Sequence, residues 1–333
     1  MYRVACMLKS AHLYFHSPCF DGIVSCVLAL DFLETSQGWS IEEIHSVNYD
    51  LRQTWLSSGL LRPAAVVDFL YHPQAEFWAD HHVTTFLTEE AEKDFERRKS
   101  RWLICDKRSG SCALLLWNHF DNAFGYRNPR YEKLVGWADK IDAARYASVE
   151  EAVFGRQSAL QINLSLGVND GTRYCKDLVR LLRHETLDHV AELPEVKARS
   201  EQAASMIEVG FERFAKGSRL EQDGIAVFDV DSSDVIISRY APYYFFPQAR
   251  YSAGIVRSAK GASITAMRNP WRDFPSVPIG EIFSKFGGGG HRRVAALILT
   301  GKRVSEASFI LNQIIREIRE AEAHSHDTES EFL

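Results

Sequence analysis

The first half of the chain alternates short apolar segments with segments of helical periodicity, and this alternation restricts the possible folds more than any other feature. Four apolar segments have the length of β-strands: residues 11–16, 44–49, 64–69 and 77–80. Residues 21–33 and 111–120 instead carry apolar side chains at helical spacing. Such alternation is typical of α/β domains with a mainly parallel sheet. We therefore predict an α/β fold with an N-terminal, mainly parallel sheet flanked by helices.

The second half of the chain has a different character, and 333 residues suit two domains. Residues 178–219 are charged and helical in pattern, and residues 304–321 form an amphipathic helical pattern. Three segments between them predict strands: residues 224–228, 234–237 and 262–266. We predict four segments: a first α/β domain over 1–190, a helical connector over 191–219, a smaller C-terminal α/β domain over 220–321 and a disordered tail over 322–333.

The composition of the chain indicates the cellular compartment of the protein and the kind of ligand it binds. The net charge is −5, whereas proteins that grip long duplex DNA are more often basic. A short or small phosphorylated ligand fits this charge better. The six cysteines form no C-x-x-C pair, which is typical of free thiols in a reducing compartment. No signal peptide or membrane span is evident, so we predict a cytoplasmic protein.

Acidic residues recur where predicted strands end. Asp21 follows the first strand, Asp68 lies near the end of another, and Asp80 ends a third. Ligands of open α/β sheets bind beyond the carboxyl ends of the strands, so these carboxylates should converge there. His81 and His82 follow Asp80 directly, and oxygen with imidazole nitrogen suits Mn, Zn, Fe or Co. The pattern predicts a metal site, although Asp80-His81-His82 alone also fits a surface turn.

Two further segments carry candidate ligands. In the segment from residue 16 to residue 22, His16, Cys19 and Asp21 are able to reach one crevice after a tight Pro/Gly loop. Taken singly, Cys19 also fits a small buried apolar residue, and Asp21 fits a helix N-cap. Asp139 and Asp142 lie three residues apart and so share one helix face, which alone also fits a solvated surface.

A glycine-rich segment, residues 287–290, precedes His291, Arg292 and Arg293. Glycines allow a backbone to approach an anion closely, and the His and Arg side chains add donors for phosphate. We expect a helix to follow, whose N-terminus adds partial positive charge. The apolar run over 294–299 argues against a flexible linker.

Together, the segments HSPCFDG, VVDF, ADHH, KIDAARY and FGGGGHRRVAA resemble the DHH phosphoesterase superfamily with a C-terminal DHHA1-type domain. That superfamily includes RecJ-like exonucleases and nanoRNases. The resemblance runs from His16 to Ala296, and it is specific to the superfamily but not to one substrate. It implies that residues 1–190 are the DHH catalytic domain and that residues 220–321 are a DHHA1-type substrate-binding domain.

The resemblance also implies roles for individual residues. It implies two divalent cations, most often Mn²⁺, at metal positions occupied here by His16, Cys19, Asp21, Asp68, Asp80 and Asp142. Asp139 is the alternative to Asp142. The resemblance implies that Asp80, His81 and His82 are catalytic. It also implies that the substrate is contacted by Arg268, Gly288, Gly289, Gly290 and His291.

Cys19 departs from the family pattern, because many members have an aspartate at this position. A thiol removes a negative charge and favours softer metals such as Zn²⁺. Three interpretations stay open: one tight and one weak metal site, a site shifted to zinc or iron, or a variant that binds a phosphorylated ligand without catalysis. Mg²⁺ also remains an option.

The predicted function is that of a hydrolase of phosphoric esters, an exonuclease-like, Mn²⁺-dependent phosphodiesterase. It would cleave short oligonucleotides or small nucleotides with a metal-activated water. A phosphomonoesterase or pyrophosphatase of the same family is the enzymatic alternative. We expect no membrane association and no obligate protein partner, and the sequence leaves a homodimer open.

Overall fold

A computed structural model describes residues 9–168 and 172–330. Within these ranges the chain forms two compact units. The first comprises the residues up to 145 together with 156–201, and the second comprises 146–155 and the residues from 202 onward. The division falls inside one long helix, Pro194–Lys216, so the predicted connector over 191–219 is not a separate unit.

A five-stranded parallel sheet forms the centre of the first unit, in the order β2-β1-β3-β4-β5. Its strands are β1 (Lys9–His16), β2 (Trp39–Val47), β3 (Ala64–Val67), β4 (Ala75–Asp80) and β5 (Leu103–Cys105). The predicted parallel sheet is therefore confirmed. Strand β3 is buried at every position, as expected of a strand covered on both faces.

Helices of both units are numbered in chain order. They are α1 (Phe20–Asp31), α2 (Glu89–Arg98), α3 (Cys112–Phe124), α4 (Glu132–Asp142), α5 (Val149–Phe154), α6 (Ser158–Ser165), α7 (Thr172–His184), α8 (Leu187–Ala191), α9 (Pro194–Lys216), α10 (Ala241–Phe245), α11 (Ile279–Ser284) and α12 (Ala307–Ser330). In the described ranges, no helix has both the length and the apolar character needed to cross a membrane.

Helix α1 is buried along its whole length, which explains why its sequence is apolar on all sides. It packs against α3, α4 and α7. Gly22 lies in its first turn, where a Cβ atom would overlap the carbonyl oxygen of His16. Glycine therefore allows the start of α1 to lie directly against the end of β1.

A six-stranded mixed sheet forms the second unit, in the order β10-β11-β9-β8-β7-β6. Its strands are β6 (Ser218–Leu220), β7 (Ile225–Asp231), β8 (Tyr251–Ser258), β9 (Gly261–Arg268), β10 (Gly289–His291) and β11 (Val294–Leu299). Only β7 and β8 pair in parallel. Residues of α11 and α12, such as Phe283 and Ile314, share its apolar core.

Three predictions for the second half differ from the structure. Residues 234–237 form a turn and loop after β7, with Asp234 at φ 61°, not a strand. Residues 294–299 form strand β11, paired with β9, so the helix expected after the glycines is absent. Helix α12 continues to Ser330, which includes most of the expected tail. Residues 331–333 lie outside the described residues.

Candidate metal centre

The carboxyl ends of β1, β3 and β4 meet at one edge of the parallel sheet. His16 is the last residue of β1, Asp68 follows β3 directly, and Asp80 is the last residue of β4. The chain leaves β1 for β2 on one side and continues with β3 on the other. Ligands of doubly wound sheets bind at this kind of switch point, between β1 and β3.

Asp68 lies at the middle of this edge, with an unusual backbone conformation and an unusual side-chain environment. Its backbone has φ 55°, a left-handed conformation that is uncommon for a residue other than glycine. Its side chain is 1% exposed, yet neither carboxylate oxygen accepts a hydrogen bond from any residue that the structure describes. Burial, followed by the negative charge of Asp21, raises the pKa of Asp68 well above its usual range. A cation beside Asp68 would offset both effects.

His81 points into the acidic cluster. Its Nε2 lies 3.3 Å from Asp142 Oδ2, 3.6 Å from Asp21 Oδ2 and 3.6 Å from Asp68 Oδ1. Its Nδ1 lies 3.1 Å from the carbonyl oxygen of Ser109, which only accepts hydrogen bonds. Nδ1 therefore carries a proton, and Nε2 is directed at the carboxylates. This is the tautomer and the outer partner usual for a histidine that ligates metal through Nε2.

Asp21 connects two helices. It lies in the first turn of α1, and its oxygens accept the backbone N–H groups of Cys112 at 2.7 Å and Ala113 at 2.9 Å. These donors belong to the N-terminus of α3, so Asp21 caps a different helix from the one expected. Burial and the charge of Asp142 raise the pKa of Asp21 to about 6, against the lowering effect of both N–H groups. The N-cap of α1 is Cys19.

Asp80 is fully buried and holds His82. Its Oδ1 lies 2.7 Å from His82 Nδ1 and accepts the backbone N–H of His81 at 2.8 Å, and its Oδ2 accepts the hydroxyl of Thr85. Burial alone would raise the pKa of Asp80, but the charge and hydrogen bond of His82 outweigh it and lower that pKa. Burial alone would likewise lower the pKa of His82, but Asp80 raises it. Sequence inspection missed Thr85, which lies outside the recognisable motif.

The structure separates the two acids at the end of α4. Asp142 is the last residue of α4 and faces His81, whereas Asp139 forms an ion pair with Arg145. A Cβ atom at Gly110 would overlap the Asp139 and Arg145 side chains, so that glycine makes room for the pair. This arrangement supports the choice of Asp142 over Asp139 as the candidate ligand.

His16 and Cys19 form a second small cluster with Asp68, in which one candidate ligand atom from each lies within 4.8 Å of the others. Burial and the positive charge of His82 lower the pKa of His16 to about 3, so its imidazole is neutral near pH 7. Burial and the charge of Asp68 raise the pKa of the Cys19 thiol well above its usual value. A bound cation would reverse that preference for the protonated thiol.

The donor set of the first unit fits a pair of divalent cations. Three groups of ligand atoms each lie within 4.8 Å: Asp68, Asp80, His81 and His82; His16, Cys19 and Asp68; and Asp21, His81 and Asp142. Asp68 belongs to two of these groups and His81 to two, as expected of residues between neighbouring ions. Carboxylate oxygens and imidazole nitrogens suit Mn²⁺, Zn²⁺ and Fe²⁺, and the Cys19 sulfur favours the softer metals.

Other sequence candidates lie in the second unit, where the structure shows local structural contacts. Arg268 is buried, and its guanidinium donates to the carbonyl oxygens of Asn269 at 2.9 Å and Phe274 at 2.8 Å. Gly288 and Gly290 leave no room for a Cβ atom beside β11, and Gly290 has φ 148°. Gly289 and His291 belong to strand β10. Substrate contacts from Arg268, Gly288, Gly289, Gly290 and His291 therefore stay predictions.

Comparison with known proteins gave matches among solved structures alone: no family model and no curated protein matches the chain. A pGpG-specific phosphodiesterase, PggH from Vibrio cholerae, has a TM-score of 0.64 at 18% identity over 94% of this chain and 100% of its own. The DHH domain of PF0399, a member of the s1p family of ribosomal proteins, has a TM-score of 0.55 at 12% identity over 93% and 86%.

RecJ from Thermus thermophilus, solved with Mn²⁺, has a TM-score of 0.54 at 13% identity. That match covers 92% of this chain but 52% of RecJ. The fold and the site thus define an α/β protein with an acidic, histidine-containing centre at its switch point. The solved structures add that the chain shares its fold with these proteins, one of them a DHH domain, so the fold that the motif resemblance implies is confirmed.

Proposed function

We propose that this protein is a metal-dependent phosphoesterase whose active centre lies in the first unit. The observation that carries the proposal is the convergence of Asp21, Asp68 and Asp142 within 3.6 Å of one imidazole nitrogen, that of His81. Several buried carboxylates repel one another strongly unless cations lie between them. The lack of hydrogen-bond donors to Asp68 among the described residues supports the same conclusion.

The residues that would hold two divalent cations, Mn²⁺ in the first instance, are His16, Cys19, Asp21, Asp68, Asp80, His81 and Asp142. When bound, such ions supply an activated water and stabilise the attacking and leaving oxygens of a phosphoryl group. These side chains bind metal only when they are deprotonated. Protons therefore compete with the metal, and metal binding depends on pH.

His82 has a separate role in this proposal. Asp80 accepts a hydrogen bond from its Nδ1, which fixes the orientation of the ring. An imidazole held in this way beside the centre is suited to contact a phosphoryl oxygen. Asp80 and Thr85 keep this ring oriented.

Short oligonucleotides or small nucleotides are the substrates that we propose, cleaved at a phosphodiester bond. The net charge of −5 disfavours tight contact with long nucleic acid. Two solved structures with the same fold are a pGpG-specific phosphodiesterase and RecJ bound to Mn²⁺, and the phosphodiesterase activity belongs to the first of those proteins. The expected cytoplasmic location remains part of the proposal.

The test is hydrolysis by purified protein loaded separately with Mn²⁺, Zn²⁺, Mg²⁺ or Fe²⁺. Suitable substrates are short RNAs, adenosine 3′,5′-bisphosphate, cyclic dinucleotides and pyrophosphate, with product analysis to separate diester from monoester or pyrophosphate cleavage. We expect diester cleavage that Asp68→Asn abolishes. Absence of turnover on every substrate, with metal content measured, would contradict the proposal.

A second candidate function is binding of a phosphorylated ligand without catalysis. Cys19 favours it, because its Sγ lies with His16 and Asp68 where many members of the superfamily have an aspartate. This candidate predicts that Cys19→Asp gains hydrolytic activity with Mn²⁺ while the wild-type protein only binds. Wild-type turnover that is lost in Asp68→Asn would decide against it.

A further inference from the structure

A surface cavity of about 360 Å³ lies in the second unit, between strand β6 and helix α12. Three arginines line it: Arg219, Arg316 and Arg319. Strand β6 is one edge of the six-stranded sheet, and β10, which carries Gly289 and His291, is the opposite edge. The cavity therefore lies away from the glycine-rich segment of the same unit.

Strand pairing brings Arg219 to this cavity. Arg219 lies directly opposite Val227 in the antiparallel pair β6–β7, so the two side chains project from the same face of the sheet. Val227 and Ile315 belong to the apolar core between the sheet and α12, and they are only 7% and 5% exposed. Both also line the cavity, which therefore has an apolar floor with Arg219 at its rim.

Helix α12 supplies the other two arginines. Asn312, Arg316 and Arg319 follow one another at spacings of four and three residues, so they lie on one face of the helix. All three line the cavity. Two guanidinium groups and one side-chain amide of α12 thus share the cavity with the guanidinium of Arg219.

The three arginines differ in their partners. Arg219 Nε lies 2.8 Å from Glu221 Oε1, and Arg319 Nε lies 2.5 Å from Asp223 Oδ2. Arg316 forms no hydrogen bond or ion pair with any residue in 9–168 or 172–330. Three cations against two acids leave a surplus of one positive charge here, in a chain whose net charge is −5. A cleft with surplus charge of one sign concentrates ions of the other sign.

We propose that this cavity binds a compact organic anion that carries two or more phosphate or carboxylate groups. The Arg316 guanidinium would hold one group through two parallel hydrogen bonds. Arg219 and Arg319 each use Nε for their ion pair, so the remaining N–H donors of each guanidinium are available for a second group. The site is separate from the metal centre and does not depend on phosphoesterase activity.

The shape and the charge of the cavity both favour a small ligand. A volume of about 360 Å³ lies in the range of pockets that hold small organic molecules. The apolar floor of Val227 and Ile315 suits the carbon body of such a ligand. Glu221 lines the cavity and Asp223 is tied to Arg319, so a long polyanion such as a nucleic acid would have to pass both acids.

Calorimetric titration of the metal-free, full-length protein in phosphate-free buffer tests the proposal. The ligands are fructose 1,6-bisphosphate, citrate, fructose 6-phosphate and fructose, which differ in the number and kind of anionic groups. The variants are Arg316→Gln and Arg316→Lys. Because Arg316 has no partner among the described residues, both should fold as the wild type does, which urea unfolding checks. Arg303→Gln is the matched control, since Arg303 is exposed, pairs with Glu306 and lies outside the cavity lining.

We expect the wild type to bind fructose 1,6-bisphosphate or citrate at least about tenfold more tightly than fructose 6-phosphate, and fructose not at all, because charged hydrogen bonds dominate. Arg316→Gln should weaken that binding at least about tenfold. Arg316→Lys should retain part of it, because lysine keeps the charge but not the planar fork. Arg303→Gln should stay within about twofold of the wild type. The bisphosphate and citrate together show whether phosphate or carboxylate is preferred.

Several results would overturn this proposal. They are absence of binding by both multiply charged anions, unchanged binding in Arg316→Gln, and an equal loss in Arg303→Gln, which would assign the effect to overall charge. Tighter binding of decathymidylate than of either anion, lost in Arg316→Gln, would identify a nucleic-acid surface instead. The titrations contain no divalent metal and measure no hydrolysis, so their outcome and the outcome of the phosphoesterase test are independent.

Discussion

The carboxylate of Asp68 is buried on a left-handed backbone without a hydrogen-bond donor among the residues that the structure describes. Both features are unfavourable for folding, and such features often mark functional sites. Asparagine has nearly the same shape, tolerates the left-handed conformation and carries no charge. We predict that Asp68→Asn raises the free energy of unfolding of the metal-free protein by about 1 kcal/mol and weakens Mn²⁺ binding at least tenfold.

Urea unfolding in EDTA and calorimetric titration with Mn²⁺ measure the two effects of Asp68→Asn. Asp50→Asn is a suitable control, since Asp50 is exposed. A metal-free variant less stable than the wild type would show that the Asp68 carboxylate stabilises the fold, contrary to the prediction.

Thr85 provides a second prediction for a single residue. Its hydroxyl is buried and donates to Asp80 Oδ2. Thr85→Val keeps the shape and removes the donor, which leaves one oxygen of a buried carboxylate without this bond. We expect unfolding free energy to fall by about 1–3 kcal/mol, as for other unsatisfied buried acceptors. Thr85→Ser should recover most of the loss in urea unfolding, and equal losses in both variants would assign the effect to packing instead.

At the scale of helices and strands, the start of α1 depends on Gly22, where a Cβ atom would overlap the His16 carbonyl oxygen. Gly22→Ala should lower the free energy of unfolding by about 1–3 kcal/mol, the range typical of overpacking. Gly136, in α4, is a matched control because nothing lies within 4 Å of its Cβ position. Gly136→Ala should raise stability by about 0.5–1 kcal/mol, because alanine favours helix.

Urea unfolding of the two glycine variants, monitored by far-UV circular dichroism, gives the comparison. Opposite signs would support the tight approach of α1 to β1. A stabilised Gly22→Ala variant would indicate that the two elements lie farther apart than the structure shows.

The elements of the first unit could be predicted because their apolar segments are short, bounded and distinct in period. In the second unit, residues 294–299 are apolar with alanine and leucine, which also form helices well, so pairing with β9 decides that they form a strand. Residues 234–237 carry strand-forming side chains but follow a turn at Asp234. Whether such a segment forms a strand depends on the strands it pairs with elsewhere in the chain. The local sequence pattern carries no information about that pairing.

The same limit applies to the site. His16, Asp21, Asp68 and Asp80 could be predicted because each lies at or just after the end of an apolar strand. The two hydrogen bonds between Asp21 and the N-terminus of α3 span 91 and 92 residues and follow from packing alone. Thr85 could not be found from sequence either, since its contact with Asp80 arises only when the strands are assembled.

For the whole molecule, the buried acids predict a stability that depends on divalent cations. The chain carries a net charge of only −5, yet Asp21, Asp68 and Asp80 lie together in one unit with their side chains buried. Bound cations would relieve this local repulsion. A ligand at 100 times its dissociation constant stabilises the folded state by about 2.7 kcal/mol. We predict a stabilisation of this order by Mn²⁺, reversed by EDTA, in thermal unfolding of the full chain.

Two variants at the end of α4 make this last prediction specific. Asp142 faces His81, whereas Asp139 is paired with Arg145. Asp142→Asn should therefore remove most of the stabilisation by Mn²⁺, because it takes a ligand from the centre. Asp139→Asn should retain that stabilisation, because its carboxylate serves the ion pair. Equal responses of the two variants would mean that Mn²⁺ stabilises the protein at another place, and the assignment of Asp142 as a ligand would then be wrong.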